Sequence, residues 1–185
     1  MSELAKIRHV AFLRGINVGG HKIIKMDWLS TQFSAMGFSR VKTLLASGNV
    51  LFESDPSDTL SLIHQIETTL LAQLGYRVQI VLRTREELKT LIELNPFNSI
   101  QDLEAKCYVT FFNQAPSSKI DMPYRSELGD FELLRIHQAE ILSVSYRSPS
   151  GSFGSPVLHI EKTWKDLSTT RNWNTVKKAL ALCND

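Results

Sequence analysis

Residues 9–82 run through a succession of hydrophobic patterns that few folds accommodate: strand, helix, strand, strand, helix, strand. His9-Val10-Ala11-Phe12-Leu13-Arg14 is a short apolar run that stops at Gly15, the pattern of a mostly buried strand. Asp27 reads as an N-cap, and Leu29, Phe33 and Met36 then fall on one helical face before Gly37 ends the helix. Val41–Leu45 and Asn49–Phe52 are two strands joined by a tight Ala46-Ser47-Gly48 turn. Asp55-Pro56 opens a second helix, with Leu60, Ile63, Ile66, Leu70 and Leu74 on its face and Gly75 at its end. Tyr76–Leu82 alternates as a fourth strand. The order β-α-β-β-α-β is that of a split β-α-β, or ferredoxin-like, unit.

A helix follows, opened by a Thr84/Glu87 capping box and stopped before Pro96. Beyond it the pattern starts again. Cys107–Phe112 is a strand, and 117–128 is a loop or short helix. Phe131–Ile136 and Ile141–Tyr146 form a hairpin around Gln138-Ala139. A helix over 157–166, a short strand at Ser168–Thr170 and a helix capped by Asn172 complete the chain. A structural duplication is expected, although no residue-level repeat is visible. The expected fold is α+β: two ferredoxin-like (split β-α-β) subdomains with antiparallel sheets backed by helices. The first spans 1–83, a connecting helix and loop span 84–104, and the second α/β subdomain spans 105–185. Ser148–Pro156 is the one flexible-looking stretch.

Composition narrows the function classes. The 185 residues are 43% hydrophobic and 22% charged, ordinary for a globular chain. No apolar run reaches the ~18 residues of a membrane helix, and no signal peptide opens the chain. The two cysteines, Cys107 and Cys183, are too few for a disulfide framework or a structural zinc site, so a cytoplasmic protein is expected. The net charge of +2 is uneven. Residues 1–42 hold seven Lys/Arg against two Asp/Glu, residues 43–146 eight against fourteen, and residues 147–185 six against three. Without a dense basic block, a nucleic acid is a poor partner; the basic ends suit a small anion better. Nothing in the sequence sets the oligomeric state.

Four strings spread along the chain carry a family resemblance. They are Leu13-Arg14-Gly15-Ile16-Asn17-Val18-Gly19-Gly20, Ala46-Ser47-Gly48-Asn49-Val50-Leu51-Phe52, Asn95-Pro96-Phe97 and Thr169-Thr170-Arg171-Asn172-Trp173-Asn174-Thr175-Val176. Together they resemble a bacterial family known as domain of unknown function 1697 (DUF1697). The resemblance implies a compact two-part α/β protein of the bacterial cytoplasm, and no catalytic assignment, because the family has none to carry over. The chain departs from the family pattern at Ser152–His159, where members show a Ser-Lys-Leu-like stretch and this sequence lacks the lysine near Ser155.

The Gly15–Gly20 segment is no dinucleotide fingerprint, since Asn17 occupies the third place, and no Walker loop, since no Gly-Lys-Ser/Thr follows. It remains a turn tolerant of positive φ, after a strand and before a helix, flanked by Arg14, Lys22 and Lys25. Such turns present consecutive N–H groups to an anion. In a sheet of order 4-1-3-2 the end of the first strand lies beside the start of the third, so the Ser47-Gly48-Asn49 turn shares that edge. Arg171 adds a forked donor beside a helix start capped by Asn172. The expected ligand contacts are therefore Arg14, Asn17, Gly19, Gly20, Lys22, Ser47, Asn49, Arg171 and Asn172. Each also has a bland role: solvated lysines, turn chemistry, a helix cap.

The five histidines show no metal-ligand spacing, and only His21 lies in the basic loop. Asp27 is sufficiently explained as a cap, Cys107 is expected to be buried and inert in its strand, and Cys183 is expected near a frayed end. Phe111 and Phe112 fit core packing better than a base-stacking platform. No nucleophile–base pair is legible, so catalytic residues and cofactor stay unassigned. The expected function is binding of a phosphorylated small molecule or nucleotide at the loop edge. Two alternatives stand beside it, a group-transfer enzyme and an RNA-associated protein.

Overall fold

The computed structural model describes residues 5–18, 23–117 and 120–184. The chain divides into two compact units, 1–90 with 178–185, and 91–177. Both boundaries fall inside helices.

The first unit holds β1 (Ile7–Leu13), α1 (Met26–Ala35), β2 (Ser39–Leu44), β3 (Asn49–Ser54), α2 (Thr59–Leu74), β4 (Ile80–Thr84) and the start of α3 (Arg85–Glu93). Its sheet has the order β2-β3-β1-β4, with every neighbouring pair antiparallel. Period-2 alternation sends Ala11 and Leu13, Val50 and Phe52, Ile80 and Leu82 to one face, where they join Leu29 and Phe33 of α1 and Leu62, Ile66 and Leu70 of α2 in one core. Val10, Phe12, Leu51 and Val81 on the opposite face are equally buried. That explains why β1 reads as a continuous apolar run.

β1 and β2 begin two residues earlier than the sequence reading, at Ile7 and Ser39, and the starts of α1, α2 and β4 also differ from it. α1 begins at Met26, with Lys25 at the N-cap and no side-chain cap, so Asp27 sits in the first turn and complements the helix dipole instead. α2 begins at Thr59, because Asp58 accepts a hydrogen bond from Ser61 N at 3.0 Å and is the working cap; Asp55-Pro56 lies before the helix. β4 begins at Ile80, and Tyr76 to Gln79 stays outside the ladder. The Thr84/Glu87 capping box forms as read: Thr84 N donates to Glu87 Oε2 at 2.7 Å and Glu87 N to Thr84 Oγ1 at 3.2 Å.

The second unit holds β5 (Lys106–Phe112), β6 (Tyr124–Arg125), β7 (Phe131–His137), β8 (Glu140–Ser145), α4 (Pro156–Thr163), β9 (Ser168–Asn172) and the start of α5 (Trp173–Cys183). Its antiparallel sheet has the order β6-β7-β8-β5-β9. Phe112, Leu133 and Ile141 pack with Ile160 of α4 and with Trp164 at its C-cap, and Ile120 and Met122 lie against that core. The 117–128 stretch supplies the short edge strand β6 and, among its described residues, no helix. Ser148–Pro156, flexible-looking in sequence, is internally bonded: the hydroxyls of Ser148, Ser150 and Ser152 lie within 3.0 Å of one another, and Ser148 N donates to Ser152 O at 2.7 Å.

The two sheets repeat one register. β4-β1-β3-β2 in the first unit has the counterpart β9-β5-β8-β7 in the second, with β6 added at an edge. His9 pairs with Phe52 and Thr84 as Tyr108 pairs with Ser143 and Asn172. At the strand end Leu13 N donates to Gly48 O at 2.8 Å, and Phe112 N to Ala139 O at 2.9 Å. Arg83 and Arg171 are counterparts, both buried, each donating to the carbonyl of its preceding residue at 2.8 and 2.9 Å. What differs is the first crossover: α1 lies between β1 and β2, and no helix is found among the described residues between β5 and β7.

Candidate functional site

At the end of β1 the chain turns through Gly15 and Asn17, both at positive φ (65° and 54°). Asn17 is the hub of this edge. Its Oδ1 accepts from Ile24 N at 2.7 Å, and its Nδ2 donates to Ile24 O at 3.0 Å and to Ala46 O at 2.7 Å. One carboxamide thus closes the 17–24 loop and ties it to the β2–β3 turn. That turn passes through Leu45 and Gly48 at φ 61° and 74°. Gly48 is required twice over, by its left-handed φ and because a Cβ there would overlap the Ile16 side chain. Asn49 is fully buried, and its Nδ2 donates to Leu44 O at 2.6 Å and to Ser47 Oγ at 3.1 Å.

The two motif segments therefore meet in space, with Asn17 and Asn49 engaged in holding the frame. Arg14 is half-buried, and its backbone N–H donates to Gln79 O at 2.8 Å. The exposed groups along the edge are Gly15, Val18, Ile23, Lys25, Leu45, Ala46 and Ser47. Val18, Ile23 and Leu45 are 67%, 73% and 50% exposed, three large apolar side chains brought to one edge by the Asn17 bridge. Isolated apolar residues in a loop carry no periodicity, so the sequence does not mark this apolar character. Gly19, Gly20, His21 and Lys22 lie outside the described residues.

Arg171 and Asn172 belong to the second unit. Arg171 is buried in β9, where one guanidinium nitrogen donates to Thr169 Oγ1 at 2.8 Å and to Thr170 O at 2.9 Å; burial pushes its pKa down to about 10. Asn172 Oδ1 accepts from Asn174 N at 2.9 Å at the start of α5.

One polar pair was invisible in the sequence because its members are far apart. His9 Nε2 lies 3.1 Å from Ser54 Oγ, and the serine hydroxyl donates to Asp55 O at 2.9 Å. With that hydroxyl proton engaged, His9 Nε2 is the donor. The imidazole stacks on Phe52, and burial lowers its pKa against a smaller opposing pull from Glu87. A serine whose proton is held by a backbone carbonyl is not an activated nucleophile.

Among the described residues no group of three His, Cys, Asp or Glu is placed to hold a metal ion, and no helix is long and apolar enough to cross a membrane. Cys107 is half-buried, and Cys183 is buried in the last turn of α5 rather than lying at a frayed end; both thiols are free, with pKa raised by burial. Phe111 and Phe112 are core residues at 0% and 1% exposure and offer no surface on which a base could stack.

A family described as "Protein of unknown function (DUF1697)" matches residues 7–141. Among solved structures, the chain is similar to a conserved bacterial protein from Streptococcus pneumoniae, at 19% identity and a TM-score of 0.70 over 97% of this chain and 99% of that one. At that identity the likeness shows the fold alone. No curated protein matches significantly.

Proposed function

Starting from a chain that belongs to DUF1697, a family of proteins of unknown function, we propose that the first unit is a binding module for a phosphorylated small molecule of the nucleotide type. We read both units as variants of the split β-α-β arrangement, the second having lost its first crossover helix, and place the protein in the cytoplasm on its cysteine usage. The ligand seat is the edge formed by the 14–25 loop and the 45–48 turn.

The observation that carries this reading is the Asn17 bridge, which joins two distant segments into one preformed edge. Residues already tied together at Asn17, Ile24 and Ala46 cost little ordering entropy when a ligand arrives. The edge is amphiphilic: Val18, Ile23 and Leu45 expose apolar surface beside Arg14 and Lys25, and Lys22 belongs to the same loop by sequence. A nucleotide has that duality, an apolar ring and an anionic tail. The glycine-rich turn supplies backbone N–H groups for the phosphate and the cations supply charge-assisted hydrogen bonds. Asn17 and Asn49 serve as the frame rather than as contacts.

The test is a melting series with AMP, ATP, adenosine and inorganic phosphate. A nucleotide that binds only the native state raises stability by about 2.7 kcal/mol at a hundredfold excess over its Kd. AMP or ATP should stabilise more than adenosine or phosphate alone, and Lys22→Ala or Arg14→Ala should weaken that effect about ten- to hundredfold in affinity. No stabilisation by any of the four compounds, or stabilisation of both variants equal to that of the wild type, would remove the reading.

A further inference from the structure

We propose that the cleft at the end of β5, in the second unit, is a binding site for a small organic cation, a primary amine held by the carboxylate of Asp166. The cleft has a volume of about 380 Å3, and Asn113, Gln114, Ser117 and Asp166 line it together with Phe112 and Leu167. It opens where β5 ends and β9 is about to begin, the place that corresponds in the repeated register to the loop edge of the first unit.

The cleft has a physical origin. In the first unit the chain leaving β1 goes on to α1, whose Leu29 and Phe33 cover the sheet. In the second unit no described helix fills that crossover, and Ile120 and Met122 cover the core instead. Its walls are held by one residue. Trp164 is fully buried; its Nε1 donates to Ser117 O at 2.6 Å, and its own carbonyl accepts from Asp166 N. One buried residue is thus bonded to two lining residues, to Ser117 through its indole and to Asp166 through its backbone carbonyl. Behind them Phe112 is held by its bond to Ala139 O. A pre-positioned polar wall of this kind is what small-molecule recognition needs.

The lining chemistry selects the charge. Among the described lining residues Asp166 is the one ionisable group, and it is exposed. Gln114 and Ser117, both exposed lining residues, bring a carboxamide and a hydroxyl to the cleft as neutral hydrogen-bonding groups, whereas the Asn113 side-chain oxygen is buried. An ammonium carries three donors, no acceptor and a positive charge, which matches a carboxylate flanked by neutral acceptors. Among the described lining residues no cation offsets Asp166 against an anion. Corresponding strand ends of the two units therefore carry opposite preferences, basic in the first and acidic in the second.

The experiment is a 1H–15N NMR titration with putrescine, using 1,4-butanediol as the uncharged analogue of equal length. Putrescine should perturb the amides of residues 113–115, 117, 166 and 167, and the diol should not. Asp166→Asn should weaken putrescine binding about tenfold or more, while the exposed position leaves the unliganded melting point unchanged. Should Asp166→Asn be unstable, Gln114→Ala, also at an exposed site, provides the second variant and should weaken binding less. Inorganic phosphate should leave these amides unmoved, which separates this site from the edge of the first unit. Perturbation by the diol equal to that by putrescine, no perturbation at these amides, or unaltered affinity in Asp166→Asn would overturn the proposal.

Discussion

Asn17 shows how one residue can look like a ligand contact and be a frame. In the sequence it is a polar residue inside a glycine-rich turn. In the fold its carboxamide is consumed by Ile24 and by Ala46, 29 residues away. Backbone partners leave no side-chain signature, so this role was illegible, as was that of Asn49. Asn17→Ala should therefore cost about 1–3 kcal/mol of stability even without ligand, since it strips partners from Ile24 and Ala46. Urea denaturation reads this, and an unchanged midpoint would make the bridge incidental. His9 gives a second residue-scale expectation. Its folded pKa is lowered, so the unfolded state takes up a proton first and stability rises with pH. The contribution is complete above about pH 6.5, the unfolded value, and is lost as pH falls below it. His159 shares the direction through its own burial. Between about pH 7.5 and pH 5.5 the wild type should lose stability, His9→Gln should lose less, and the double variant with His159→Gln should be nearly flat. An equally steep His9→Gln profile would assign the dependence elsewhere.

At the scale of elements, signals carried by a glycine or by reciprocal capping were readable, and signals shared by two neighbouring candidates were not. Gly75 ends α2 at φ 73°, and the Thr84/Glu87 box opens α3. Asp55 and Asp58 are both cap-type residues three positions apart, and the sequence reading opens α2 at Asp55-Pro56. Hydrogen-bond geometry decides for Asp58, whose carboxylate is fully exposed and still bonded to Ser61. β6 could not be read at all, because two residues carry no periodicity. The cap makes a clean comparison. Asp58→Ala should lower the thermal midpoint and Asp55→Ala should leave it in place. The Ser61 hydrogen bonds hold the Asp58 carboxyl below its ordinary pKa, so the difference between the two variants should persist at neutral pH and vanish in acid as that carboxylate is protonated. Equal midpoints for the two variants at neutral pH would return the helix start to Asp55.

Across the whole molecule, two units share one strand order and one register while their side chains have diverged beyond a visible repeat. Pairing geometry tolerates that divergence because it is set by backbone bonds and by the alternation of buried and open faces, not by particular residues. The same correspondence supplies an internal control for Arg171. In the sequence this arginine looked like an anion donor because it precedes a helix start. In the fold it is the counterpart of Arg83, equally buried and bonded to its own strand in the same way. Nothing in the sequence marks Arg83 as a ligand contact, so whatever the two arginines share is architectural. Replacing either by alanine removes a buried guanidinium and its aliphatic stem, and each should cost about 2–4 kcal/mol in unliganded stability. If Arg171 is architectural alone, Arg171→Ala and Arg83→Ala should lower the midpoint alike, and each should keep the full increment that AMP or ATP adds to its own baseline. A ligand role would appear as an Arg171→Ala protein whose baseline is barely changed and whose increment is lost, with Arg83→Ala unaffected in that increment. The shared burial and the shared hydrogen bond to the preceding carbonyl place the expectation on the first outcome.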